Sequence, residues 1–406
     1  MVKIKILYTT PIIEYPAAGG PELRIQNSIK ALSKISDLYV VARCTKENMG
    51  GDYAVKYYSS LVNNFSFAPS INKLSKNRYS RKIQTVLRNA IKKNLARDLD
   101  FLLSIIEKEN IDVVWFGFGN ISFDLIKLLK SANINVKIVC DTDSVWSRFL
   151  LRELPYESDK HRAAKIKVAG LAKEKEEQEW VDLSDITTAV SEVDANYYKT
   201  LSSDANKIML FSNVIDFNQY IQISSKPDNF ISPSVYLAGS FSPKSAMDKA
   251  ARWFIEFIYP IVKEEIPSIH FYIIGKGSIE TLTDIEDKSI TILGKVKTVL
   301  PYLKNSDVSI VPLKFESGTR FKIMEAAACK IPIVSTKLGA EGIPVKNGHD
   351  IIIADEIEEF AEAIIKIIKD KELAKNITQN CYNLINSNNS LDSLIAEGKN
   401  ILKKLY

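Results

Sequence analysis

Short apolar runs alternate with long helical patterns along almost the whole chain, and this alternation constrains the fold more than any other feature. Such an alternation is typical of parallel sheets covered by helices. We predict strands at Ile4–Tyr8, Leu38–Ala42, Val113–Phe116, Val136–Cys140, Ile186–Val190, Ile208–Phe211, Val235–Ala238, His270–Ile274, Ile290–Leu293, Val308–Val311, Ile333–Ser335 and Ile351–Ile353. The chain is therefore predicted to be an α/β protein.

A polar interruption at 224–228 divides the alternation into two series of strands. The 406 residues are also too many for one ordinary core, so two Rossmann-like domains are expected. Doubly wound sheets bind ligands beyond the carboxyl ends of their strands, so we expect a small-molecule site in a cleft between the domains. The predicted segments are an N-terminal domain over 1–213, a C-terminal domain over 214–385, and a helix over 386–406 that packs back on the first domain.

Composition and charge narrow the class of protein. Lys and Arg total 54 against 49 Asp and Glu, and this net charge of +5 allows anionic ligands without requiring nucleic acid. The four cysteines are far apart and form no CxxC pair, so neither a zinc site nor a disulfide framework is indicated. The N-terminus lacks the apolar stretch of a signal peptide, and no run approaches the roughly 20 apolar residues of a membrane span. We expect a cytoplasmic protein that touches the cell membrane only from its inner face.

The stretch PLKFESGTRFKIMEAAACKIPIVSTKLGAEG at 312–342 carries the strongest chemical signal. A strand ends just before it, a loop follows, and a helix then leads to the next strand. Backbone N–H groups at a helix start attract anions, and an acidic residue in the helix can accept hydrogen bonds from a ribose diol. An ordinary strand, loop and helix with a capping serine explains the spacing equally well. The residues concerned are Ser317, Gly318, Thr319, Arg320, Lys322 and Glu325.

This stretch, together with Tyr236–Ser240 and the pattern TILGKVKTVLPYLKNSDVSIVPL, resembles the donor-binding domain of retaining GT-B glycosyltransferases of family four. The glycine pair at 19–20 and the pattern LFSNVIDFNQY resemble the first domain and hinge of the same family. The resemblance implies a GT-B fold, with two Rossmann-like domains facing across a cleft. It also implies a hexosyltransferase-like enzyme of surface polysaccharide synthesis, which moves a sugar from a nucleotide-diphosphate sugar to a glycan or lipid-linked acceptor with retention.

The resemblance also implies roles for single residues. Glu325 holds the ribose, whereas Ser317 stands where the family has a glutamate that meets the donor sugar, so the backbone amides of 317–319 replace that contact. Arg320 and Lys244 are the expected cations for the leaving diphosphate, with Lys249 as an alternative to Lys244. The remaining donor-side positions are Gly19, Gly20, Gly239, Ser240, Lys295, Val296 and Lys322.

The triplet Asp141-Thr142-Asp143 mimics two metal motifs. It resembles the DxD site of GT-A glycosyltransferases and the opening of haloacid dehalogenase phosphatases. The first class needs a single domain and the second needs the motif on its first strand, and neither condition holds. We expect Arg24 and Asp141 to lie on the acceptor side and Asp143 to orient an acceptor hydroxyl, with strand-end capping as the alternative. No metal or other cofactor is expected.

The chain has only three histidines, at 161, 270 and 349, and none is placed as a general base. This scarcity favours retention, in which the leaving diphosphate accepts the proton of the acceptor. Two other functions stay open. One is a catalytically inactive GT-B-like protein for nucleotide binding or scaffolding, which the serine at 317 motivates, and the other is a nucleotide-sugar epimerase.

The segment 70–97 is strongly basic and contains no acidic residue up to Arg97. Interleaved apolar residues give it a helical stripe, which is typical of a helix that adsorbs to anionic lipid. A solvated helix that covers the sheet is an equal explanation. Few aromatic residues are available for base stacking, so no nucleic-acid partner is expected. The basic residues are Lys73, Lys76, Arg78, Arg81, Lys82, Arg88, Lys92, Lys93 and Arg97.

Overall fold

A computed structural model of the chain describes residues 3–17, 19–69, 83–222 and 224–406, with the backbone alone for 83–93. The chain divides into two compact units. The first unit contains Met1–Ser144, Glu174–Ser212 and Leu394–Tyr406, and the second contains Val145–Lys173 and Asn213–Ser393.

The chain passes from the first unit to the second between Ser212 and Asn213, next to the predicted boundary of the two domains. The units differ from the predicted segments at 145–173, which belongs to the second unit although it precedes the boundary in sequence. Within the second unit, Arg152 of this segment forms an ion pair with Glu341. The end of the chain joins the first unit from Leu394 onward.

The first unit is built on a sheet of seven parallel strands in the order β3-β2-β1-β4-β5-β6-β7. Its inner strands are buried on both faces, as expected for a parallel sheet covered by helices. The strands are β1 Lys5–Thr10, β2 Asp37–Ala42, β3 Asn64–Phe67, β4 Val113–Gly117, β5 Lys137–Asp141, β6 Ile186–Ala189 and β7 Ile208–Leu210.

The second unit has a sheet of six parallel strands in the order β10-β9-β8-β11-β12-β13. The strands are β8 Ser234–Ala238, β9 His270–Ile274, β10 Ile290–Gly294, β11 Val308–Val311, β12 Ile333–Ser335 and β13 Ile352–Ile353. Phe254 and Phe271 pack edge to face in its core, with ring centroids 4.8 Å apart. In each sheet, the first three strands are added one after another from the middle toward one edge. The fourth strand returns to the middle, and the later strands extend toward the other edge. This topology confirms the predicted doubly wound α/β class.

Helices cover both sheets. In α13, buried Phe360, Ile364 and Ile367 recur at helical spacing and face the core. The helices are α1 Gly20–Ile35, α2 Gly51–Ser59, α3 Ile83–Glu109, α4 Phe123–Ser131, α5 Trp146–Glu153, α6 Lys160–Trp180, α7 Glu192–Leu201, α8 Ala246–Trp253, α9 Tyr259–Glu265, α10 Ser278–Thr281, α11 Leu300–Asn305, α12 Phe321–Ala328, α13 Ile357–Lys369, α14 Lys371–Asn388 and α15 Leu391–Leu405.

One strand differs from the sequence predictions. The strand β3 is additional, and its sequence NFSF alternates polar and aromatic residues over only four positions, which is too short to be recognised. The helical segment that follows β8 is divided into α8 and α9 by a π-helical turn at Phe254–Ile258. Pro260 lies at the start of α9 and has no backbone N–H to continue a regular α-helical ladder.

Most of the segment predicted to contact a membrane lies outside the residues for which side chains are described. Residues 70–82 are not among the described residues, and α3 begins at Ile83. The membrane contact through 70–97 therefore stays a prediction. Within the described part of the chain, no helix is long and apolar enough to cross a membrane.

Candidate functional site

In the second sheet, the order in which strands are added reverses between β8 and β11, which are parallel neighbours and pair through Val235 and Val308. In doubly wound sheets, ligands bind outside the carboxyl ends of the strands at such a point. The strand β8 is followed by Gly239 and Ser240, and β11 is followed by the loop at 312–320. The structure therefore brings these two predicted parts of the donor site to the same edge of one sheet.

Glycines line this edge and allow the backbone segments to approach closely. The loop after β8 contains Gly239, the loop after β9 contains Gly275, and β10 ends at Gly294. At Gly275, φ is 140°, and an added Cβ would lie 1.7 Å from the carbonyl oxygen of Gly239. Only glycine fits there. Sequence reasoning missed Gly275 and Gly277, although the GKG pattern directly after a predicted strand is the signal that would have found them.

Lys322 lies on α12 and presents a cation at this edge. Its ammonium is 3.1 Å from the sulfur of Met247, which is a weak hydrogen-bond acceptor. Burial lowers the pKa of Lys322 to about 8, although the nearby carboxylates of Glu316 and Glu325 favour its charged form. Met247 also packs within 3 Å of the position where a Cβ of Gly239 would lie. A desolvated ammonium that contacts a thioether is well placed to bind an anion.

Glu325 lies three residues after Lys322, on a neighbouring position of the helix surface. Its carboxylate oxygen Oε1 accepts a hydrogen bond of 2.9 Å from the Tyr220 hydroxyl. Burial raises the pKa of Glu325, while Tyr220 and Lys322 oppose that rise. An ionised carboxylate with one such bond keeps further acceptor capacity, which suits it to a ligand with hydroxyl groups.

Arg320 organises the loop before α12. Its guanidinium donates to the carbonyl oxygens of Ser317 at 2.9 Å and of Gly318, and it is 5% exposed. Gly318 has a φ of 78°, which a residue with a side chain rarely adopts. Thr319 accepts a hydrogen bond of 2.7 Å from the Asn213 amide. These bonds fix the loop, whereas the action of Arg320 on a leaving diphosphate stays a prediction.

The Ser317 hydroxyl is buried and accepts a hydrogen bond of 3.2 Å from the backbone N–H of Val145. Val145 is the residue that precedes α5. The hydroxyl thus tethers the start of α5 to the loop, and this bond gives Ser317 a structural role that the sequence did not indicate. The proposed contacts of the 317–319 amides with a sugar are compatible with it and stay a prediction.

A cluster of arginines on α5 adjoins the same loop and was missed by sequence reasoning. Arg152 binds Glu341 in a bidentate manner at 2.6 and 2.8 Å and donates to the Glu316 carbonyl at 2.9 Å. Arg148 lies 3.6 Å from Glu341. Burial opposes ionisation of Glu341, but Arg152 and Arg148 lower its pKa. No local signal predicts this pair, because its members are 189 residues apart.

The other predicted residues near β8 and β10 differ in their surroundings. Lys244 is exposed, with a φ of 64°, and its backbone N–H donates to Asp248 at 2.6 Å. Lys249 donates to the Tyr156 carbonyl at 2.9 Å, so its ammonium is bound to the segment at 145–173. Ser240 and Lys295 are exposed, and Val296 packs against the core of the unit. Their donor-side roles stay predictions.

In the first unit, Arg24 and Asp141 form a buried ion pair. Asp141 also accepts a hydrogen bond of 2.7 Å from the Thr188 hydroxyl, and Arg24 donates to the Phe211 carbonyl at 3.0 Å. The structure therefore brings these two predicted residues together, at the carboxyl end of β5. Their burial gives the pair a role in holding this edge of the sheet, and acceptor binding stays a prediction.

Gly19 and Gly20 form the start of α1 in the first unit. Gly19 has extended backbone, and an added Cβ would lie 2.6 Å from the Glu22 carboxylate. Asp143 accepts a hydrogen bond of 2.6 Å from the Asn120 amide. Within the described part of the chain, no group of three His, Cys, Asp or Glu side chains is arranged to hold a metal ion. The expectation of a metal-free reaction is not tested by this geometry.

Comparison with known proteins gives one family match and distant structural relatives. Residues 232–370 match the model of the family described as glycosyl transferases group 1. An uncharacterized 44.6 kDa protein in the cps region of Klebsiella pneumoniae is 24% identical over 146 residues, which make up 34% of this chain and 37% of that protein. The match thus spans about a third of that relative.

Two solved structures align with nearly the entire chain. A glycosyltransferase from Rickettsia africae has 15% identity and a TM-score of 0.66, with 100% of this chain and 99% of that one covered. Anabaena Alr3699/HepE in complex with UDP and glucose has 13% identity and a TM-score of 0.64, with 98% and 99% covered. Likeness at this level of identity establishes the fold, which is the predicted GT-B fold.

Proposed function

We propose, from the premise that residues 232–370 belong to the glycosyl transferases group 1, that this chain is a retaining glycosyltransferase that uses a nucleoside diphosphate sugar. The match confirms the predicted resemblance to this family of glycosyltransferases, whereas retention belongs to the proposal. The proposal adds the reaction, in which the sugar passes to a glycan or lipid-linked acceptor with retention of configuration. The place of the Klebsiella pneumoniae relative in a cps region supports a role in polysaccharide synthesis.

The environment of Lys322 carries the proposal. A partly buried ammonium at the switch point of the second sheet contacts the sulfur of Met247 and has a pKa of about 8 because of burial. A diphosphate bound there would accept a charge-assisted hydrogen bond from the ammonium. Its negative charge would stabilise the charged form of Lys322, which burial destabilises. The glycines at 239 and 275 let the protein segments at this edge pack closely, since an added Cβ would meet Met247 at the first position and the Gly239 carbonyl at the second.

Glu325 extends the site toward a nucleoside. Its second carboxylate oxygen is the acceptor that we assign to a ribose hydroxyl, since Oε1 already accepts from Tyr220. The complex of Anabaena HepE contains UDP and glucose, which supports a uridine nucleotide as the first ligand to test. Arg320 holds the loop that would surround the sugar, through its bonds to the carbonyls of Ser317 and Gly318.

The histidines support retention over an inversion that needs a histidine base. His270 contacts the Thr291 hydroxyl at 2.8 Å, and His349 contacts Asp350 at 2.8 Å, so both have structural partners. His161 is exposed on α6, outside the second sheet and its loops. In a retaining transfer, the departing diphosphate takes the proton of the acceptor hydroxyl, and Lys322 stabilises the negative charge that develops on it.

Two measurements in sequence test the proposal. Calorimetric titration of the whole chain with UDP, GDP, ADP and TDP identifies a nucleotide, and mass spectrometry of the sugar released from the matching donor then measures turnover. Binding with slow donor hydrolysis, and transfer when a glycan acceptor is added, is the expected result. A chain that binds none of the four nucleotides contradicts the proposal.

A second candidate function is a nucleotide-binding or scaffolding protein without turnover. The observation that favours it is the hydroxyl of Ser317, which accepts a hydrogen bond from the Val145 N–H and supplies no carboxylate at this position. Nucleotide binding with no hydrolysis and no transfer over a panel of donor sugars would support this candidate. Restoring a carboxylate with Ser317→Glu provides a further comparison, since gain of turnover in that variant identifies the missing group.

A further inference from the structure

Tyr220 contacts the candidate ribose-binding carboxylate from a distant part of the sequence. It follows the short 3-10 turn at Phe217–Gln219, and its hydroxyl donates to Glu325 across 105 residues at 2.9 Å. The ring is 7% exposed, so water has little access to this hydrogen bond. A shielded bond between a hydroxyl and a carboxylate is stronger than the same bond at the surface.

The surroundings of Glu325 make Tyr220 its neutral hydrogen-bond donor. Burial and the neighbouring carboxylate raise the pKa of Tyr220 above its ordinary value, so the phenol keeps its proton. The other groups that face Glu325 are Lys322 on the same helix, Tyr236 on β8 and Cys329 one turn further on. Burial raises the pKa of Tyr236 and of Cys329, so neither group adds a charge at neutral pH.

The segment that carries Tyr220 is itself fixed. Ile215 donates its backbone N–H to the Asn389 carbonyl at 2.9 Å, and the Asn389 side chain donates to the Asn213 carbonyl at 3.0 Å. Phe217 packs edge to face on Tyr382 at 5.3 Å. A hydrogen-bond donor on a fixed backbone can hold a flexible glutamate side chain in one orientation. The side chain then loses little conformational entropy when the ligand binds, because it is already ordered.

We propose that Tyr220 is a positioning residue, which holds one oxygen of Glu325 and thereby presents the other to the ribose of the donor nucleotide. The inference rests on the proposed function, since it assigns a ribose to Glu325. Its consequence is a preference for ribonucleotides over 2′-deoxyribonucleotides, because an acceptor held in one place gains most from a hydroxyl at the matching position.

The experiment compares the dissociation constants of UDP and 2′-deoxyuridine diphosphate by calorimetry. The test variant is Tyr220→Phe, and the matched control is Tyr259→Phe. Tyr259 also buries a hydroxyl in the second unit, with hydrogen bonds of 3.1 Å to Ile269 and 3.0 Å to Ser289, but it lies on α9. The wild type and Tyr259→Phe are expected to prefer UDP, and Tyr220→Phe is expected to reduce that preference about 3- to 10-fold.

The Tyr220→Phe substitution in a Glu325→Ala background distinguishes a role of Tyr220 in positioning Glu325 from a role in the stability of the fold. Tyr220→Phe should have no further effect there, since the group through which Tyr220 acts is absent. If Tyr220→Phe weakens both nucleotides equally, or keeps the wild-type preference, the inference is wrong while the proposed function stands. If the wild type binds both nucleotides equally, the contact of Glu325 with the 2′-hydroxyl fails together with the inference. If it binds neither, the proposed use of a uridine nucleotide fails as well.

Discussion

Replacement of Lys322 by methionine separates stability from binding at the candidate site. Methionine keeps an unbranched apolar side chain beside Met247 and removes the ammonium. Burial displaces the pKa of Lys322 from 10.5 to about 8. That displacement corresponds to about 3 kcal/mol, and partial exposure with solvent screening reduces the expected cost of the charge to about 1–3 kcal/mol. The Lys322→Met variant should therefore be more stable than the wild type by about that amount at pH 7.

Donor binding should change in the opposite direction. Loss of a charge-assisted hydrogen bond to the diphosphate is worth about 1.5–3 kcal/mol, which weakens the affinity about 10- to 150-fold. The free energy of unfolding is measured by urea denaturation, and the affinity for UDP by calorimetry. Lys366→Met is the matched control, because Lys366 is exposed on α13 and should leave both quantities unchanged.

Both the stability of the wild type and its affinity for the nucleotide should depend on pH through Lys322. Between pH 8 and about pH 10, the unfolded chain keeps the proton of Lys322 while the folded chain releases it, so this group makes the wild type more stable as the pH rises. The stability difference between Lys322→Met and the wild type should therefore narrow over that range. Affinity of the wild type for UDP should fall above pH 8, because the uncharged amine attracts the diphosphate less. A variant that is less stable than the wild type, or that binds UDP with the affinity of the wild type, refutes the reasoning.

Three further substitutions test other residues of the candidate site. Glu325→Ala should weaken nucleoside diphosphate binding by about 1.5–3 kcal/mol without loss of fold, as measured by calorimetry and circular dichroism, and an unchanged affinity would remove its ribose role. Ser317→Ala should speed hydrogen exchange at the Val145 amide while leaving nucleotide affinity within about twofold, and slow exchange would contradict the tether. Arg152→Ala should destabilise the chain by about 1–3 kcal/mol in urea denaturation, because it leaves the partly buried Glu341 without its bidentate partner. No loss of stability would show that Arg148 replaces it.

The sequence by itself determined most of the strands and their order, with β3 as the exception. The runs His270–Ile274 and Val308–Val311 are predicted with their observed ends, because a parallel strand buried on both faces is largely apolar, here with one polar residue in each. The alternation of strands and helices then determined a doubly wound class for both sheets. The loop and helix of 312–342 were likewise predictable, since glycine, serine and charged residues follow a strand end directly.

Only the tertiary structure decided which distant side chains meet. The contacts of Tyr220 with Glu325, of Val145 with Ser317 and of Arg152 with Glu341 join residues more than 100 positions apart, and no periodicity encodes such a pairing. The same holds for the pKa of Lys322, which depends on the burial that its neighbours impose. Local patterns record which face of an element is apolar, whereas long-range contacts and desolvation arise only when the elements pack.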